Sequence, residues 1–150
     1  MGKSQKILSS IERLAASACD ARTLMAETVA LLQCERRHYN WVGVYLLENG
    51  ELVLGPFVGK PTPHTRIPLN KGICGAAASS GKTVIVDDVT QDPRYLTCSL
   101  ETRSEIVVPI IRNGRVLGEI DIDSDTPAAF TEDDRRLLEA VAEILAAKLP

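Results

Sequence analysis

Four cysteines and one acidic segment hold the side chains able to do chemistry: Cys19, Cys34, Cys74, Cys98, and the run G-E-I-D-I-D-S-D at 118–125. The cysteines lie 15, 40 and 24 residues apart, with no C-x-x-C, and neither His38 nor His64 stands at a ligand spacing. A structural zinc site is therefore not expected, and no metal is assigned. The start of the chain, MGKSQKILSSIERLAA, has no continuous apolar stretch of signal-peptide length, because Glu12 and Arg13 interrupt it. A cytoplasmic setting with reduced thiols is the expectation, which disfavours a disulfide framework. What remains is inert buried thiols or a thiol that reacts. Cys98 sits among Thr97, Ser99, Arg94 and Arg103 in a polar stretch, a poor place for core filler. Cys74 opens the small-residue run GICGAAASSG (72–81). There a helix N-terminus would stabilise its thiolate, although burial as a small residue is the blander reading.

The acidic segment alternates. Ile120 and Ile122 share one face of a strand, and Glu119, Asp121 and Asp123 share the other. Glu105 opens the preceding strand. The simple reading is a solvated acidic face. Like charges stacked along one strand repel, however, and nothing basic within the strand compensates. Roofed by loops, such carboxyls would have raised pKa values, and one could stay protonated near neutrality. A thiol beside a protonated carboxyl can reduce an S–O bond: sulfur is attacked while the acid converts oxygen into a leaving group. Trp41, Gly43 and Tyr45 share a strand face, which suits either a core or the apolar end of a ligand.

The elements that must position these groups follow from periodicity. Residues 1–36 read as helices: Ile7, Leu8, Ile11, Leu14, Ala15 and Ala18 form one stripe, and Asp20 caps a second segment with Leu24, Met25, Thr28, Leu31 and Leu32. Cys19 and Cys34 fall here and read as small apolar residues at a helix interface. WVGVYLL (41–47) and ELVLGPFVG (51–59) flank Asn49-Gly50, and EIVVPIIR (105–112) and RVLGEIDIDS (115–124) flank Asn113-Gly114, so two hairpins are predicted. Residues 60–72 and 90–103 read as loops on either side of a short helix and the strand TVIVDDV (83–89). A final helix over 130–149 begins at Thr131, with Asp134 completing its cap. The fold class is α+β, one domain over 1–150, with a largely antiparallel sheet over 40–124. The 150 residues carry 17 Lys and Arg against 20 Asp and Glu, net −3, with 4% aromatics, which disfavours nucleic acid and anionic lipid as partners. No apolar run approaches a membrane span.

The runs NWVGVYLL, LGPFVGK, RIPLNKGICGAA, SEIVVPI and GEIDIDSDTPAAFTEDD resemble those of the GAF-domain free methionine-(R)-sulfoxide reductases, over roughly residues 40–145. The resemblance implies a GAF-like sheet with the N- and C-terminal helices on one face and a ligand pocket on the other. Members often pair as homodimers. It implies reduction of free L-methionine-(R)-sulfoxide, with Cys98 as the attacking thiol and Glu105, Asp121 and Asp123 as pocket acids. Trp41 and Tyr45 would line the S-methyl site, and Asp88 would be a further pocket acid. No bound cofactor is implied. Electrons would come from an external thiol system, thioredoxin with its reductase and NADPH, and the role would be repair after oxidative stress. One departure stands out: where members carry a cysteine just before the R-I-P tripeptide, this chain has Pro63-His64-Thr65. Cys74 is then the candidate resolving thiol. The alternative is a non-catalytic GAF module that senses a small amino-acid-like ligand.

Overall fold

The computed structural model describes residues 2–17, 19–97 and 99–150. Two helices open the chain, α1 (Lys3–Ala16) and α2 (Ala21–Glu35), and the Asp20 side chain accepts from the Thr23 amide at 2.7 Å to start the second. The sheet is built from β1 (Trp41–Glu48), β2 (Glu51–Val58), β3 (Arg66–Pro68), β4 (Val84–Val86), β5 (Ser104–Arg112) and β6 (Arg115–Ser124). Its order is β3-β2-β1-β6-β5-β4, with every neighbouring pair antiparallel. The predicted β5–β6 hairpin turns through Asn113 and Gly114, both at positive φ (53° and 75°), as a type I′ turn requires. Helix α3 (Gly72–Ser80) lies between β3 and β4, and α4 (Glu132–Lys148) closes the chain. At its start Asp134 Oδ2 accepts from both the amide and the hydroxyl of Thr131.

Period-two alternation splits the sheet into two unlike faces. Val42, Val44, Ile106, Val108, Ile120 and Ile122 pack against α1, α2 and α4 in the main apolar core. Trp41, Tyr45, Val107 and Val86 face the other way, toward α3 and the two loops. The α+β architecture and the helices on one face are as predicted.

Three local expectations change. The 60–72 loop contains β3, an edge strand pairing Arg66 with Val53 and Pro68 with Glu51; an edge tolerates the missing amide of a proline. The predicted 83–89 strand stops at Val86, and Val89–Gln91 form a 3₁₀ turn. Cys34 is exposed rather than at an interface, because the last turn of α2 runs past the core.

Candidate active site

The pocket-side stripe of the sheet is set by register. Trp41 on β1 lies opposite Asp123 on β6, which lies opposite Glu105 on β5, which lies opposite Val86 on β4. One step along, Gly43, Asp121 and Val107 form the next row, and Tyr45 and Glu119 the third. Four carboxyls therefore converge on the sheet face covered by α3. Burial is almost complete: Glu105 is 5% exposed, Glu119 0%, Asp121 3% and Asp123 4%. The solvated acidic face that alternation alone suggests is thus overturned, because α3 and both loops cover it.

Burial sets the electrostatics. Desolvation pushes the Glu105, Glu119 and Asp123 carboxyls well above the ordinary range, and the neighbouring Asp121 charge adds to it in each case. Asp121 is also raised by burial, but Glu105 and Cys74 hydrogen-bond to it and oppose the rise. Burial and mutual proximity thus favour the protonated form throughout the cluster, least strongly at Asp121. Among the described residues, Asp121 Oδ1 and Asp123 Oδ1 are buried without a hydrogen-bond partner, while Glu119 is paired with the Cys74 thiol.

Cys74 is the third residue of α3, and its Sγ donates to Asp121 Oδ2 at 3.4 Å. Of the two readings of Cys74, burial as a small residue holds and a dipole-stabilised thiolate does not. Burial pushes the thiol well above its usual value, and Asp121, Glu119 and Glu105 push it further. Loss of hydration and three nearby acids outweigh one helix terminus.

The aromatic wall comes from β1. Gly43 makes it possible: a Cβ there would lie 2.4 Å from Trp41 Cη2, so the indole folds across a position that only glycine leaves open. The indole stacks on Phe57 and donates through Nε1 to the Lys60 carbonyl at 3.0 Å. Tyr45 donates its hydroxyl to the His64 carbonyl at 2.7 Å. His64 Nε2 in turn lies 3.0 Å from the Thr97 carbonyl, so His64 ties the 60–72 loop to the 90–103 loop. Two spaces result. An outer cavity of about 160 Å³ is lined by Asn40, Trp41, Lys60, Thr62, Thr102 and Asp123, among others. An inner one of about 20 Å³ is lined by Tyr45, His64, Cys74, Leu96, Glu105 and Asp121, among others.

The chain matches the GAF domain family model over residues 20–149. It is 39% identical to the free methionine-R-sulfoxide reductase of Escherichia coli, over 80% of this chain and 73% of that one. With the yeast enzyme of the same name, from Saccharomyces cerevisiae, identity is 46% over 71% of this chain and 61% of the other. The crystal structure of the Neisseria meningitidis free methionine-R-sulfoxide reductase in complex with its substrate superimposes with a TM-score of 0.92, at 40% identity, covering 97% and 87% of the two chains. The chain belongs to the GAF-domain free methionine-(R)-sulfoxide reductase family.

Within this family's pattern, the structure brings Glu105, Asp121, Asp123, Cys74, Trp41 and Tyr45 to one side of the sheet. Cys98, expected as the attacking thiol, lies outside the described residues. Asp88 is occupied differently from the expectation of a pocket acid in a strand: half-buried, it caps the 3₁₀ turn, accepting from the Thr90 amide at 3.0 Å and hydroxyl at 2.6 Å. Those bonds hold its carboxyl below the ordinary range. Glu119 was not singled out as a site residue. Its signal was the same period-two alternation that marked Asp121 and Asp123. Among the described residues, no helix is long and apolar enough to cross a membrane.

Proposed function

We propose that this protein reduces free L-methionine-(R)-sulfoxide to methionine. The observation that carries the reading is the buried acid cluster beside the aromatic wall, in a member of this reductase family. Buried Glu105, Asp121 and Asp123 share a raised affinity for protons, so the cluster can supply both a proton donor and a negative charge. The charge suits the ammonium of a free amino acid, and the donor suits the sulfoxide oxygen. A residue within a protein chain has no α-ammonium, which favours the free amino acid as substrate.

In the first step, Cys98 as thiolate attacks the sulfoxide sulfur while a carboxyl of the Glu105–Asp123 pair protonates the oxygen. The S–S bond formed in that attack then opens as the hydroxyl passes from the methionine sulfur to the Cys98 sulfur, so the S–O bond breaks, methionine leaves, and Cys98 becomes a sulfenic acid. In the second step, the Cys74 thiol attacks the Cys98 sulfur. A disulfide forms, and the hydroxyl leaves with the thiol proton as water. An external dithiol such as thioredoxin, recharged with NADPH by its reductase, then reduces the disulfide. The solved type II free methionine-R-sulfoxide reductase of Thermoplasma acidophilum, 42% identical with a TM-score of 0.83 over 85% of this chain and 90% of that one, supports the wider reading. A cytoplasmic site of action fits a mechanism that depends on reduced thiols.

The deciding assay supplies the (R) epimer with dithiothreitol, and separately with thioredoxin, its reductase and NADPH. Methionine release in both is the expected result. Silence in both, with Cys98 verified as reduced, would end the reductase reading. A ligand-induced rise in melting temperature, unchanged in Cys98→Ser, would then favour the non-catalytic binding module.

A further inference from the structure

The outer cavity is lined by unlike charges. Asp123, 4% exposed, contributes its unpartnered Oδ1 from the sheet. Lys60 and Ser99 reach the same cavity from the 60–72 and 90–103 loops, and Lys60 is the one cation among the described residues that line it. A single side chain engages both of these donors. Lys60 Nζ donates to Glu101 Oε1 at 3.3 Å, and Ser99 Oγ donates to Glu101 Oε2. The two oxygens of one carboxylate are thus held by an ammonium and a hydroxyl, as a carboxylate ligand would be. The Ser99 hydroxyl, the residue's own backbone and Lys60 together bring the Glu101 carboxyl down to about 2. Yet the ion pair lies open to water: its side chains are 76% and 57% exposed, so it is screened and readily exchanged. The Lys60 backbone is better anchored, because its carbonyl accepts from Trp41 Nε1 at 3.0 Å. That bond ties Lys60 to the aromatic wall while its ammonium stays free to change partner.

We propose that Lys60 and Ser99 are the subsite for the α-carboxylate of a free amino acid, with Glu101 as a placeholder that the ligand displaces. The ligand class follows from the lining. The other charged groups facing this cavity of about 160 Å³, Asp123 and Asp125, are acids, so an anion is held at Lys60. Displacement exchanges one carboxylate for another: Lys60 and Ser99 keep their two acceptors, and Glu101 turns to the solvent that already reaches it. An amide or a peptide bond at the same carbon carries no charge and cannot compete with Glu101. Lys60 and Ser99 therefore select the free amino acid at its carboxyl end. That the far end of the ligand is a sulfoxide rests on the reductase reading; recognition of the carboxylate needs no turnover.

The test is calorimetric titration of Cys98→Ser protein, in which no sulfoxide is consumed, with L-methionine-(R)-sulfoxide and with its carboxamide. The free acid should bind on the order of 10-fold more tightly than the amide. Adding Lys60→Met should weaken the acid to the level of the amide and leave the amide unchanged, and Lys60→Arg should keep most of the preference. Adding Glu101→Gln should tighten the acid several-fold with no effect on the amide, since Lys60 then has no rival anion. Lys60 is exposed and its bond to Trp41 is made by the backbone, so these variants keep the fold. Equal weakening of both ligands by Lys60→Met, no weakening of either, or no binding of the free acid at all would overturn the proposal. A Lys60-dependent preference for the acid, beside wild-type protein that shows no turnover, would leave the subsite standing and the reductase reading fallen. Turnover by the wild type without that preference would do the reverse.

Discussion

Glu105 on β5 stands directly opposite Asp123 on β6, so two acids share one rung of a sheet face covered by protein. Adjacent carboxyls in such a place cannot both ionise cheaply. The rung therefore holds a proton to higher pH than a free carboxyl would, and the sheet's register is what brings the two acids together.

This arrangement ties stability to pH. Folded Glu105, Glu119 and Asp123 hold protons well above their ordinary values of 4.5, 4.5 and 3.8, which the unfolded chain would show. The folded state thus binds more protons than the unfolded state across that window, and stability falls as pH rises through it. Melting temperature should be higher near pH 5 than near pH 8. Asp123→Asn should raise it at pH 8 by about 2–8 °C, on the order of 1–2 kcal/mol, with little change at pH 5. Calorimetry at both values checks this; a melting temperature that climbs from pH 5 to pH 8 would contradict it.

The same proton should appear in the kinetics. Activity should rise as the attacking thiol ionises and fall as the acid deprotonates, giving a bell-shaped profile. Glu105→Gln should lose roughly 10²–10⁴-fold in kcat/KM, and the descending limb should weaken. A profile that stays flat from about pH 5 to 9 in the wild type would remove the carboxyl from the mechanism.

On the proposed mechanism, Cys74 is separable from the first chemical step. Its buried, protonated thiol is poorly placed to attack a sulfoxide and suited to a slower second event. Cys74→Ser should still release one methionine per protein in a single turnover and still turn over with dithiothreitol. Turnover supported by thioredoxin should fall on the order of 100-fold or more, because no disulfide forms. Equal loss with both reductants would place Cys74 in the first step instead.

His64 offers a gain-of-function test. Its ring reaches the Thr97 carbonyl, next in sequence to Cys98, from the position where the family pattern has a cysteine. His64→Cys should therefore form a disulfide with Cys98 during turnover and restore thioredoxin-supported activity to Cys74→Ser. Peptide mapping of the oxidised double variant would identify the bond, and its absence would show that position 64 does not approach the reacting sulfur.

Gly43→Ala tests the aromatic wall. The added methyl would meet the Trp41 ring at 2.4–2.7 Å, with Phe57 Cβ at 3.1 Å on its other side. The ring must shift, at a cost of about 1–3 kcal/mol in stability. On the proposed reading, in which the wall positions the substrate without reacting, KM should rise more than kcat falls. Denaturant unfolding and steady-state kinetics on one preparation read both effects.

Much of this protein is local in origin and so was readable from the chain. Asn113-Gly114 sets its hairpin because positive φ is cheap for those residues, and Asp20 and Thr131 mark helix starts because their side chains satisfy free amides. Alternation placed Ile120 and Ile122 against the helices and Asp121 and Asp123 opposite. Tertiary structure decided what that acidic face means. Whether it meets water depends on α3 and two loops, which lie far from β6 in sequence. The direction of the Cys74 shift follows from burial among three acids drawn from β5 and β6, and periodicity around Cys74 carries no trace of them. Asp88 points the same way, since VDDV reads as continuous strand while the chain turns at Thr90. Secondary structure is written in nearest neighbours; pKa and reactivity depend on distances between segments, which only the folded sheet sets.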